Sequence, residues 1–158
     1  MGELELTVGK QRDFILEEPA RINLLYGSVR STKTWSVNIK ILKDILTLPT
    51  GNILFVGNTG TSLYRNVLTP IKDLVGEKNF ELRAGKKECE IFGRTVWIEG
   101  ADNTSSYKKI EGESLLRAYV DEGTTIPENF TNMLLSRLSD KGACLYLTCN
   151  PETPRNYI

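Results

Sequence analysis

A short apolar run, Ile22-Asn23-Leu24-Leu25-Tyr26, stops at Gly27, and from 33 to 46 the apolar residues recur mostly at helical spacing. That is the pattern of a buried strand, a turn and a helix, with Pro49-Thr50-Gly51 as the stop. The unit then repeats. Residues 52–57 form a second apolar run, and Leu63, Val67, Leu68, Ile71, Leu74 and Val75 mark a second helix over 63–75. Further on, 115–120 predicts a strand, 127–138 a helix with a proline near its first turn, and 143–148 a last strand. Such alternation points to an α/β fold: a mainly parallel central sheet flanked by helices, with right-handed crossovers. The segments 80–82, 89–92 and 95–98 are separated by Gly85-Lys86-Lys87 and Gly93-Arg94. They predict antiparallel hairpin strands, a small insertion at a sheet edge. Residues 1–21 are polar and mixed and predict no element.

Composition narrows the chemistry. A chain of 158 residues that is 40% hydrophobic suits one globular domain. No run of about eighteen apolar residues occurs, and the start, Met1-Gly2-Glu3-Leu4-Glu5, lacks the basic region and apolar core of a secretory signal. A soluble intracellular protein, with no membrane partner, is expected. Cys89, Cys144 and Cys149 lack metal-ligand spacing and read as reduced core thiols. Histidine is absent, which removes histidine triads, histidine bases and most zinc sites. Carboxylates, lysine, arginine and hydroxyls must carry any reaction. Net charge is zero, so a nucleic-acid surface would have to be a local patch.

Between the first strand and helix lies Gly27-Ser28-Val29-Arg30-Ser31-Thr32-Lys33-Thr34, one residue away from G-x-x-x-x-G-K-[ST]. Such a loop wraps a β-phosphate with backbone N–H groups at a helix N-terminus. Lys33 would neutralise β and γ oxygens, and Thr34 would place its hydroxyl on Mg²⁺. Thr32 stands where glycine belongs, and its branched side chain should crowd the ligand or the loop. Alone, the segment also reads as an ordinary strand-to-helix turn.

The strand at 115–120 runs into Asp121-Glu122. In a P-loop ATPase the first carboxylate of such a pair holds Mg²⁺ through water and the second polarises the attacking water. Two acids at a strand end are otherwise a solvated loop start. The last strand runs into Thr148-Cys149-Asn150-Pro151, either a turn signal or a sensor of the γ-phosphate through Thr148 or Asn150.

Taken together, Gly27-Ser28-Val29-Arg30-Ser31, Lys33-Thr34, Ala118-Tyr119-Val120-Asp121-Glu122, Ser136-Arg137-Leu138-Ser139 and Thr148-Cys149-Asn150-Pro151 resemble phage terminase large subunits in order and spacing. The likeness runs from about Gln11 to Pro151. It implies a RecA-like P-loop ATPase domain over 1–158 and a homo-oligomeric ring on the portal protein, monomeric in isolation. In the host cell cytoplasm the ring would use ATP and Mg²⁺ to drive double-stranded DNA into a procapsid, with a small terminase subunit selecting the DNA. It also implies a C-terminal metal-dependent nuclease domain, so the chain reads as the motor half alone.

By position, the resemblance makes Lys33 and Thr34 the phosphate and Mg²⁺ ligands, Asp121 the metal holder and Glu122 the catalytic carboxylate. Thr148 and Asn150 become the coupling residues. Arg30 would reach the γ-phosphate from its own loop, Arg137 would act within the ring or sit in a surface ion pair, and Gln11 would read adenine or be merely solvated. Lys86, Lys87, Arg94, Lys108 and Lys109 are candidate DNA contacts, with solvated hairpin tips the plainer reading given Glu88, Glu90 and Glu111 nearby. A helicase core and a non-hydrolysing scaffold with a degenerate phosphate loop are the rival classes.

Overall fold

Apolar runs without alternation need cover on both faces, and a parallel sheet between helices supplies it. The computed structural model describes residues 9–27 and 33–150. Its strands are β1 (Ile22–Tyr26), β2 (Ile53–Gly57), β3 (Phe80–Arg83), β4 (Glu88–Ile91), β5 (Arg94–Gly100), β6 (Arg117–Val120) and β7 (Cys144–Cys149). They form one sheet in the order β1-β7-β6-β2-β5-β4-β3. The first five in that order run parallel to their neighbours, and β4 and β3 extend the edge antiparallel.

One strand expectation is extended and one needs correction. The segment 95–98 forms the expected antiparallel hairpin at the sheet edge, and β5, antiparallel to β4 on one side, also pairs parallel with β2 on the other, Leu54 opposite Trp97. The same strand closes the hairpin and extends the parallel sheet. β1, expected to be buried, lies at the sheet edge with Ile22 49%, Leu24 48% and Tyr26 61% exposed. Among the described residues it pairs with β7, so one face of its side chains stays open.

The helices are α1 (Lys10–Leu16), α2 (Lys33–Thr47), α3 (Gly60–Leu63), α4 (Thr69–Val75) and α5 (Glu128–Arg137); a π-turn, Tyr64–Leu68, joins α3 to α4 as one continuous helix. The polar N-terminal stretch gives no periodic sign of α1. Along α2, Val37, Ile41 and Ile45 recur every four residues, form one stripe and are buried. The period of two along a strand sends Ile53 and Phe55 into the core beneath this stripe, with Tyr119 and Tyr146, and sends Leu54 and Val56 to the opposite face with Phe130 and Leu134 of α5. Each such side chain contributes about 1.5–3 kcal/mol by leaving water. Gly57, where β2 ends, has no room for a Cβ, which would lie 2.8 Å from Leu63 Cβ.

A buried polar network stiffens this core. Arg117 Nε donates to Asp44 Oδ2 at 3.0 Å, the Tyr119 hydroxyl donates to the same oxygen at 2.5 Å, and Arg117 Nη1 donates to the carbonyls of Leu116 and Gly142. Burial, then the Asp44 charge, pushes the Tyr119 hydroxyl well above its ordinary range. Tyr119 in turn stacks on Tyr146 at 5.0 Å between centroids. The network ties α2, which begins at Lys33, to β6, which leads into Asp121. Cys89, Cys144 and Cys149 are buried thiols as expected, and burial pushes Cys89 up to about 12. No described helix is long and apolar enough to cross a membrane.

Candidate functional site

Because β1, β7 and β6 are parallel, their carboxyl ends reach the same edge of the sheet, where open α/β sheets place their ligand sites. Gly27, Asp121 and Asn150 each follow one of these strands directly. The Gly27 N–H donates to the Cys149 carbonyl at 3.3 Å, which holds the first and last strand ends together. Lys33 opens α2, and its ammonium folds back to donate to the Gly27 carbonyl and, at 3.1 Å, to Asn150 Oδ1. Ser28, Val29, Arg30, Ser31 and Thr32 lie outside the described residues, as does Pro151.

The acidic pair is held by one hydroxyl. Thr148 Oγ1 accepts from the Glu122 N–H at 3.1 Å and donates to Asp121 Oδ1 at 3.1 Å. The other Asp121 oxygen, Oδ2, accepts from Asn66 Nδ2 at 3.0 Å, and the Asp121 N–H donates to Val56 O at 2.9 Å. Asp121 is thereby buried with both carboxylate oxygens bonded. Glu122 has φ 52° and ψ 55°, left-handed backbone that only a minority of non-glycine residues adopt. Its carbonyl accepts from the Thr125 N–H and hydroxyl. In a continuing strand two consecutive side chains would face opposite sides; the left-handed turn breaks that alternation, and Asp121 and Glu122 line one cavity.

That cavity, about 230 Å³, is also lined by Lys33, Thr34, Asn66, Thr148 and Asn150. One cation and two carboxylates lining the same cavity suit a phosphate chain with a divalent ion. Among the described residues no cluster of three or more histidine, cysteine or acidic groups could enclose a metal alone. One hydroxyl, Thr34, and one carboxylate, Asp121, instead fit Mg²⁺, which keeps several waters and takes its remaining ligands from substrate phosphates.

Two candidates stand apart from the cavity. Gln11 lies half-buried on α1, whose C-terminal carbonyls are capped by Lys40 and Lys43. Burial, then the Lys43 charge, pulls the Lys40 ammonium below its ordinary value. Arg137 ends α5, and its carbonyl accepts from the Leu115 N–H. Leu115 precedes β6 while Asp121 follows it, so the Arg137 backbone lies roughly 20 Å from the acidic pair at the rise of a strand.

Of the candidate DNA contacts, Lys87 pairs with Glu99 at 3.4 Å and Lys109 with Asp102 at 3.3 Å. Arg94 donates to the carbonyls of Leu48, Pro49 and Gly51, fastening the turn after α2. Asn66 is the site residue that sequence reasoning missed. A polar residue on the helix after the second strand is ordinary, and nothing in its neighbours marks it.

The fold is RecA-like, with the cavity at the carboxyl edge of its parallel strands. Residues 19–158 match the family model of the phage terminase large subunit, and the chain belongs to that family. It is similar to the large terminase of a thermophilic bacteriophage, with TM-score 0.79, 25% identity, and coverage of 94% of this chain and 40% of that one. The same thermophilic-phage protein in complex with ADP matches with TM-score 0.77 and 24% identity over 92% of this chain and 39% of that one. The HK97 bacteriophage large terminase matches at TM-score 0.69 and 14% identity, over 94% and 34% of the two chains. The chain thus spans about 40% of the length of the thermophilic-phage enzyme. Comparison with curated proteins gives no match.

Proposed function

We propose that this chain is the ATP-hydrolysing motor domain of a phage large terminase, driving double-stranded DNA into a procapsid. The carrying observation is the Thr148 hydroxyl, which draws Asp121 and Glu122 into one cavity with Lys33 and Thr34. Family membership supports the packaging role, and the structure of the thermophilic-phage relative with ADP supports a nucleotide as ligand. The setting is the host cell cytoplasm, with a ring of copies on the portal protein and a small terminase subunit as partners.

In this reading Lys33 leaves Gly27 and Asn150 for the β- and γ-phosphate oxygens, whose charge outcompetes a carbonyl and an amide oxygen. Asn150, released, reports occupancy along β7. Glu122 orients the attacking water and takes its proton, while Thr148 holds the glutamate backbone in place. Thr34 and Asp121 would hold Mg²⁺, directly and through water, and the ion would neutralise charge developing on the phosphate oxygens. Arg30 within the loop, and Arg137 from a neighbouring copy, are the proposed arginines for that same charge; Gln11 is the proposed adenine contact.

An ATPase assay of the chain beside Glu122→Ala tests the reading. Turnover by the unsubstituted chain and a loss of at least about a hundredfold in Glu122→Ala, with nucleotide binding retained, is expected. Nucleotide binding without turnover by either protein supports the scaffold reading instead.

A further inference from the structure

The π-turn Tyr64–Leu68 interrupts an otherwise regular helix and coincides with the residue that reaches Asp121. Its cause is local. In an unbroken α-helix the N–H of residue 70 would bond the Asn66 carbonyl; Pro70 has no N–H, and its ring crowds the carbonyl four residues back. The backbone widens, and the Thr69 N–H bonds Tyr64 O across five residues. Wide turns of this kind are frequent at functional sites. Asn66 lies within this one, half-buried on the cavity wall. An ionised carboxylate only accepts hydrogen bonds, so the amide NH₂ must face Asp121; Asn66 Oδ1 correspondingly accepts from Arg65 Nε at 3.4 Å.

We propose that Asn66 is a positioning residue for the divalent cation, acting through Asp121. Thr148 holds Oδ1 and Asn66 holds Oδ2, so the carboxylate plane is fixed from both sides at the cavity wall. Loss of a partner that orients a metal-holding group typically costs tenfold to a hundredfold in metal affinity or activity. The inference rests on the nucleotide-site reading above.

Its test is a Mg²⁺ titration of a fluorescent, non-hydrolysable ATP analogue bound to the full chain and to Asn66→Ala, with EDTA as the metal-free reference. The variant is expected to need about tenfold more Mg²⁺ for half-maximal binding. Its EDTA affinity is expected to stay within about twofold of the parent, a change under 0.5 kcal/mol. A thermal melt verifies that both proteins are folded. An unchanged Mg²⁺ midpoint overturns the inference and leaves the nucleotide-site reading standing. An equal loss in EDTA and in Mg²⁺ overturns it as well, since Asn66 would then touch the nucleotide itself. If the unsubstituted chain binds no nucleotide at any Mg²⁺ concentration, both readings fail together.

Discussion

The Thr148 hydroxyl and the Asp121 carboxylate, residues of two neighbouring parallel strand ends, lie 3.1 Å apart, and the same hydroxyl accepts from the Glu122 backbone. One side chain on β7 therefore sets the geometry of both acids that follow β6. Thr148→Val keeps the shape and the burial but removes both hydrogen bonds. ATP turnover is expected to fall by about tenfold to a hundredfold with nucleotide affinity nearly unchanged, and Thr148→Ser to restore most of it. Equal kcat values for parent and valine variant would remove Thr148 from the mechanism.

Glu122 occupies left-handed backbone that a Cβ disfavours by roughly 1–2 kcal/mol. Glu122→Gly is expected to raise the free energy of unfolding by about 1 kcal/mol while abolishing hydrolysis, because strain at this turn accompanies the placement of the proposed catalytic carboxylate. Urea denaturation measures the first effect and a phosphate-release assay the second; a destabilised variant contradicts the strain.

Asp44 accepts from both Arg117 and Tyr119 in the core. In Asp44→Ala the Arg117 guanidinium would stay buried and lose its counter-charge, at a cost of about 3–5 kcal/mol. Denaturant midpoints report it, and a loss below about 1 kcal/mol, the scale of an exposed pair, would show that the pair does not pin α2 to β6.

Thr32 stands, within the proposed phosphate loop 27–34, where the pattern G-x-x-x-x-G-K-[ST] carries glycine. Thr32→Gly is expected to strengthen nucleotide binding or speed hydrolysis, by an amount on the order of tenfold, equivalent to about 1.4 kcal/mol. Equal affinity and equal ATP turnover by the two proteins would mean that the loop accommodates the branched side chain at no cost.

Much of this is legible in the chain itself. The helices at 33–47 and 128–137 and the strands at 53–57 and 144–149 follow from apolar spacing, since a single helix stripe or strand run records which side faces the core. The acidic pair and the Thr-x-Asn strand end are legible because the site draws on strand termini, which apolar runs mark. Gln11 and Arg137 are singled out by resemblance alone, because apolar spacing marks strand ends and helix stripes and neither residue lies at one.

What the sequence determined by itself is therefore the set of elements and the chemical groups at their ends, both local properties of residue type and spacing. Tertiary structure alone decided that β1 lies at an edge, that β5 serves the hairpin and the parallel sheet at once, and that Asn66 meets Asp121. The contact between Asn66 and Asp121 joins residues 55 positions apart. It depends on strand order and on a π-turn that Pro70 imposes, and neither leaves a periodic trace in the chain.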